Sequence, residues 1–203
     1  MLIGRILYPV RVLGPGERIG IWTAGCRRHC KGCANPELQP ETKDKDIPLD
    51  TLFSLLCKLF KEHQVTGVTI SGGEPFIQTE ELSELVRFLS GYTDDILIYT
   101  GYRIETLKKR KRLKEETGFI INRASVIIDG TYSEEKNFCH PLKGSDNQRI
   151  IYRDRKIRKI YEEYINEKYG RNEVQNFRSK DGLIAVGIHK KEFVYDFNCG
   201  GNN

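Results

Sequence analysis

No apolar run in these 203 residues approaches the roughly 20 that a membrane-spanning helix needs. The first twelve residues hold some apolar side chains. Arg5, Pro9 and Arg11 interrupt them and no small-residue cleavage site follows, so no secretory leader is expected. Internal repeats and low-complexity tracts are absent. Histidine is scarce: His29, His63, His140 and His189 are the only four. None sits in a recognisable acid–base pair, so no catalytic general base can be named. Without a leader, six cysteines do not read as a disulfide scaffold. Half of them crowd into one short stretch instead.

Chain length suits one domain with a real core and is short for two. The formal charge of +5 is modest. Much of it is local: residues 108–114 hold six Lys/Arg and residues 153–159 hold five. Such runs read as solvated helix faces, or as docking surfaces for an acidic partner. No aromatic residues interleave the first run, so nucleic acid is not expected as a partner. No membrane partner is expected either.

Strand-like and helix-like stretches alternate along the chain. Residues 18–23, 67–71, 96–100, 125–129 and 148–152 read as strands. Helices are expected over 49–63, around Leu82, Leu85, Val86 and Leu89, over 103–116, and around Ile157, Ile160, Tyr161, Tyr164 and Ile165. Near the end, 183–189 and 192–197 read as a hairpin turning at Lys190 and Lys191. Alternation of this kind implies βα units, a parallel sheet and an α/β class. Five or six units are too few for a closed eight-stranded barrel. The expected architecture is therefore an open, partial (β/α)6-type barrel in a single domain over 1–203. Its core would span about 8–152, with a helix-plus-β extension over 153–203.

In such sheets function collects beyond the carboxyl ends of the strands. Four unusual loops fall there: the cysteine segment 25–33, Ser71-Gly72-Gly73-Glu74-Pro75, Thr100-Gly101 and Asp129-Gly130. Cys26, Cys30 and Cys33 have C-x3-C-x2-C spacing. Thiolates at this density select zinc or an iron–sulfur cluster. A structural zinc site wants four ligands, and His29 on the same loop could be the fourth. A [4Fe–4S] cluster also normally takes four cysteines. Three leave one iron free for a small chelating molecule. Two glycines directly after a strand permit φ > 0 and close backbone approach to a ligand. Taken alone, Gly-Gly-Glu-Pro is equally an ordinary strand-to-helix turn. Cys57 reads as a small core residue; Cys139 and Cys199 have no assignment.

Together the cysteine spacing and the Ser71-Gly72-Gly73-Glu74-Pro75 loop resemble the radical S-adenosylmethionine (radical SAM) superfamily. Within it the chain is similar to the activating proteins of anaerobic ribonucleoside-triphosphate reductase. Tyr8-Pro9, Gly14-Pro15-Gly16-Glu17-Arg18, Ala24-Gly25 and Asn35-Pro36 extend the likeness. So do Tyr99-Thr100-Gly101-Tyr102, Val126-Ile127-Ile128-Asp129-Gly130 and the segment 144–149. It covers about 8–152.

The resemblance implies that Cys26, Cys30 and Cys33 ligate a [4Fe–4S] cluster. S-adenosylmethionine would chelate the fourth iron through its amino and carboxylate groups. Gly72, Gly73 and Glu74, beside Ser71, would hold the amino group. Gly32, Cys33 and Ala34 would lie against the cofactor, with Thr100 and Asp129 behind it. Reductive cleavage would release a 5′-deoxyadenosyl radical, and the target would be a glycine of a glycyl-radical enzyme. A low-potential electron donor and a reduced cytoplasm would be required.

Two features depart from the pattern. No aromatic residue adjoins Cys33, where many members carry one over the adenine. The helix from about 154 to 169 and the chain beyond it have no evident role in a minimal activase. A different target, a peptide or a small heterocycle, therefore stands as an alternative, and a zinc-binding interaction module using His29 stands as a non-enzymatic one. The segment 197–203 reads as a chain end rather than a site.

Overall fold

The computed structural model describes residues 1–171, 173–179 and 182–188. Its centre is a six-stranded sheet: β1 (Ile3–Val10), β2 (Arg18–Thr23), β3 (Gly67–Gly72), β4 (Ile96–Thr100), β5 (Val126–Asp129) and β6 (Arg149–Tyr152). The strands lie in chain order across the sheet. β2 to β5 run parallel, and an antiparallel strand closes each edge, β1 on β2 and β6 on β5. The class is thus α/β with a largely parallel sheet in a single domain. Only four strands are parallel, fewer than a (β/α)6 arrangement would have.

Alternation along each strand sorts its side chains to two faces. Ile19, Ile21, Val68, Ile70, Ile96 and Ile98 face one side. There they meet α1 (Leu49–Glu62), α2 (Thr79–Leu89), α3 (Ile104–Lys108) and α4 (Lys114–Arg123) through Leu52, Leu56, Leu82, Leu85, Leu107 and Ile120. Burying each such side chain contributes about 1.5–3 kcal/mol. Leu97, Val126 and Ile128 face the other side and pack on Ile157, Tyr161 and Tyr164 of α5 (Arg155–Lys168). Asp154 caps α5, its carboxylate accepting from Ile157 N at 2.9 Å. On that same face Trp22, Val10 and Leu38 meet the hairpin β7 (Gln175–Ser179) and β8 (Gly182–Val186).

Two expectations change. β1 was not anticipated, because Arg5 and Pro9 break its apolar pattern; it forms as an edge strand, where proline is tolerated. The helix expected over 103–116 is two helices, broken where Leu113 adopts a left-handed φ of 58°. Residues 182–186 pair with 175–179; the expected partner segment is 192–197. The latter segment, the turn at 190–191, His189 and Cys199 lie outside the described residues.

Candidate functional site

The parallel run of β2 to β5 brings four exits to one rim. The β2–β3 register reaches Thr23 opposite Gly72. Beyond it Gly73 N donates to Thr23 O and Glu74 N to Gly25 O, both at 2.8 Å. The cysteine loop and the glycine loop therefore leave the sheet as a bonded pair. Gly72 has φ 107°, and a Cβ there would stand 2.3 Å from Thr23 O. A Cβ at Gly73 would stand 2.2 Å from Gly25 O. Positive φ at Gly72 agrees with the sequence reading, but the backbone approaching these glycines is the exit of β2.

The cysteine loop is wound tightly. Gly25 N donates to Leu38 O and Cys26 N to Gln39 O, each at 2.8 Å. Three residues in eight positions are left-handed: Gly25 (φ 90°), His29 (φ 47°) and Gly32 (φ 68°). Cys33 N then closes a turn on Cys30 O at 3.2 Å. Cys26, Cys30 and Cys33 are free thiols, half-buried. Burial pushes the Cys26 thiol up; the Arg28 backbone opposes this, and Glu74, Cys30 and Cys33 reinforce it. Burial also raises Cys30, with Cys33 adding to it and Arg28 opposing. Bound metal relieves such crowding by displacing the thiol protons. Gly32 and Ala34 are exposed, and a Cβ at Gly32 would meet the Glu134 carboxylate at 2.5 Å.

Glu74 links this pair of loops to the next. It is 1 % exposed. Oε1 accepts from Phe76 N at 3.1 Å and from Thr100 Oγ1 at 2.8 Å, and Oε2 from Gly101 N at 2.8 Å. Burial nevertheless raises its pKa, against the hydrogen bonds from Thr100, Gly101 and Phe76 and the charge of Arg28. Ser71 is half-buried and its carbonyl accepts from Thr23 Oγ1 at 3.2 Å. The β4 and β5 exits are joined in turn: Gly130 N donates to Thr100 O at 3.0 Å and Thr131 Oγ1 to Gly101 O at 3.0 Å.

Asp129 lies apart from this chain of contacts. Its carboxylate, fully buried, accepts from Arg103 Nη1 at 3.0 Å, from Ile104 N at 2.9 Å and from Arg149. Burial opposes its ionisation, but Arg149, Ile104 N and Arg103 outweigh that and hold the carboxyl below its ordinary range. Cys26, Cys30, Cys33, Gly72, Gly73, Glu74 and Thr100 are thus brought to one rim, while Asp129 serves the rim from an ion-pair cluster beside it.

Arg28, Tyr102 and Thr131 were not selected from the sequence as site residues. Arg28 Nη1 donates to Thr131 Oγ1 at 2.7 Å, and its guanidinium carbon stands 4.1 Å from the centroid of Tyr102. Only Tyr102 carried a sequence signal, through the Tyr-Thr-Gly-Tyr stretch. Arg28 and Thr131 are 103 residues apart, and no local pattern links them.

The donor set suits a cluster. Three half-buried thiols stand on one loop, with the backbone of Arg28 donating to Cys26 and that of Tyr132 to Cys30. A cubane offers each thiolate a separate iron, so the sulfurs stand farther apart than around one ion. Among the described residues, no three His, Cys, Asp or Glu side chains converge on a single-ion site. His29 Nδ1 lies 3.0 Å from Gln39 Oε1, which leaves Nε2 free, but His29 does not converge with the thiols on a single-ion site. The zinc reading gains no support from this arrangement.

The family described as "4Fe-4S single cluster domain" matches residues 12–151. The chain belongs to this family of iron–sulfur proteins. Among its relatives are proteins named anaerobic ribonucleoside-triphosphate reductase-activating protein. That of Enterobacteria phage T4 is 32% identical over 149 residues, covering 71% of this chain and 90% of the relative. Those of Salmonella typhi and Haemophilus influenzae are 28% and 29% identical, covering 70% and 72% of this chain and 92% and 94% of theirs. In class, then, the chain is a 4Fe–4S protein of the family of these activating proteins. Among the described residues no helix is long and apolar enough to cross a membrane.

Proposed function

We propose that the rim is a radical SAM site and that the chain generates a glycyl radical on a partner enzyme such as anaerobic ribonucleoside-triphosphate reductase. The observation that carries this is the bonded pairing of the three-cysteine loop with the Gly72-Gly73-Glu74 loop, in a member of a 4Fe–4S family. When bound, the cluster and S-adenosylmethionine supply one-electron cleavage of the sulfonium and removal of a hydrogen atom from a glycine α-carbon. The chain's own residues bind and orient. Cys26, Cys30 and Cys33 would ligate three irons. Gly72 and Gly73 would present their backbone to the methionine amino group, beside Ser71, with Glu74 locking the loop against Thr100 and Gly101. Gly32, Cys33 and Ala34, on the exposed side of the loop, would face the cofactor, and Asp129 would hold the β5 exit through Arg103 and Arg149. A low-potential donor would deliver the electron, and the oxygen sensitivity of such a site points to a reduced cytoplasm.

The sheet with its rim loops would be the radical SAM core, a partial barrel of about 8–152, and 153–203 an extension. That extension favours a second reading. The family match ends at residue 151, and the relatives are covered almost entirely while this chain is not. A target other than a reductase, such as a peptide, fits an added segment of this size.

The test is anaerobic reconstitution, reduction and mixing with S-adenosylmethionine and a candidate reductase. The expected outcome is about four irons per chain and a protein glycyl radical by electron paramagnetic resonance. Cys26→Ser, Cys30→Ser and Cys33→Ser should each abolish it. Methionine and deoxyadenosine release with no radical on any glycyl-radical enzyme would move the assignment to the second reading.

A further inference from the structure

Arg28 stands between Cys26 and Cys30, and its side chain reaches all three of the other rim loops. Nη1 donates to Thr131 Oγ1 at 2.7 Å, on the β5 exit. Nε lies 3.5 Å from Glu74 Oε2, on the β3 exit, and makes no hydrogen bond although it is buried. The guanidinium stacks 4.1 Å from the Tyr102 centroid, on the β4 exit. Arg110 stacks on the same ring, also at 4.1 Å. A Cβ at Gly101 would fall 2.5 Å from Arg28 Cδ and Nε, so glycine there leaves the path open.

The loop needs such a tether. Among the described residues, 27–32 donate no backbone N–H to a backbone carbonyl. Arg27 pairs with Glu41, but its side chain is 78% exposed, and exposed pairs hold little. The Arg28 side chain is 23% exposed and makes several contacts at once.

We infer that Arg28 is a positioning residue: it fixes the 26–33 loop to the exits of β3, β4 and β5, so that the three thiols stand ready in one geometry. Its relevance to a cluster rests on the radical SAM reading; the tether itself does not. A guanidinium held here also places positive charge beside the thiols. That charge favours the more reduced, more negative state of a bound cluster. A lysine would keep the charge but lose the planar stack and the fork of donors.

Hydrogen exchange on the metal-free chain tests the tether. The amides of Cys26 and Cys33, bonded to Gln39 O and Cys30 O, should exchange roughly tenfold faster in Arg28→Ala and in Arg28→Lys, with Arg27→Ala unchanged. Thr131→Val, which removes one contact, should fall between. After reconstitution, a chelator should strip iron several-fold faster from both Arg28 variants. The cluster potential should fall in Arg28→Ala and stay near that of the unsubstituted protein in Arg28→Lys. Unchanged exchange and unchanged iron retention in Arg28→Ala would overturn the inference. A chain that takes up no iron would instead overturn the radical SAM reading, and the exchange comparison would still decide the role of Arg28.

Discussion

At Gly72 one hydrogen atom in place of a methyl decides whether two loops can meet. The residue holds φ 107°, and the exit of β2 passes so close that a Cβ would lie 2.3 Å from Thr23 O and 2.4 Å from Thr23 N. Those are backbone atoms in a paired strand and cannot swing aside. Gly72→Ala should cost at least about 2 kcal/mol from left-handed strain and the clash together. Urea unfolding measures it. The same substitution should displace the cysteine loop, so iron uptake should fall further than stability alone requires. Glu74 completes the lesson. A carboxylate singled out as a ligand-holding group is saturated by Phe76 N, Thr100 and Gly101 N, and its first effect is to join loops.

Among the elements, α5 shows how a segment outside the family match is fastened to the core. Arg18 at the start of β2 is fully buried. It donates to Asp95 at 2.6 Å, to Thr69 Oγ1 at 2.7 Å and to Val68 O at 2.8 Å. Tyr161 of α5 donates to Asp95 Oδ1 at 2.7 Å, and Ser125 Oγ to the same atom at 2.8 Å. One carboxylate thus serves a strand, a loop and the added helix. Asp95→Ala would leave the Arg18 charge buried without its counterion and should cost about 3–5 kcal/mol. Tyr161→Phe keeps the packing, loses only the hydroxyl, and should cost about 1.5–3 kcal/mol, as for a hydrogen bond to a charged group. If the two variants lost equal stability in chemical denaturation, the charge network would not be what holds α5.

For the whole molecule, the buried carboxylates set the response to acid. Burial opposes ionisation of Asp95, but Arg18, Tyr161 and Ser125 prevail and hold it below its ordinary 3.8; Asp129 is held below 3.8 by Arg149, Ile104 N and Arg103. As pH falls through that value the unfolded chain takes up protons that the folded chain refuses. Folding is therefore favoured above the unfolded value, and the advantage is lost as pH falls toward the folded values. Glu74 acts in the opposite sense, since burial raises its pKa and its contribution fades as pH rises. The expected outcome is a steep fall of the urea midpoint below about pH 4. In Asp129→Asn stability at neutral pH should be lower and the acid limb shallower, the two curves converging at the lowest pH. An unchanged acid limb would mean that other carboxylates dominate.

Four parallel strands, three of the covering helices and the three cysteines were legible in the chain itself. β-branched runs and leucine spacing encode burial locally, and clustered thiols encode metal chemistry. Glycines after a strand signalled positive φ at Gly72. What tertiary structure alone decided is the company these residues keep. The glycines are shaped around the exit of β2, Glu74 faces Thr100 and Gly101, Asp129 belongs to two arginines, and Arg28 reaches Tyr102 and Thr131. β1, the break at Leu113 and the pairing of β8 with β7 likewise emerged only from the fold. The physical reason is common to all: local patterns report what a segment buries, whereas a site is made by loops distant in sequence that meet only once parallel strands carry them to the same rim.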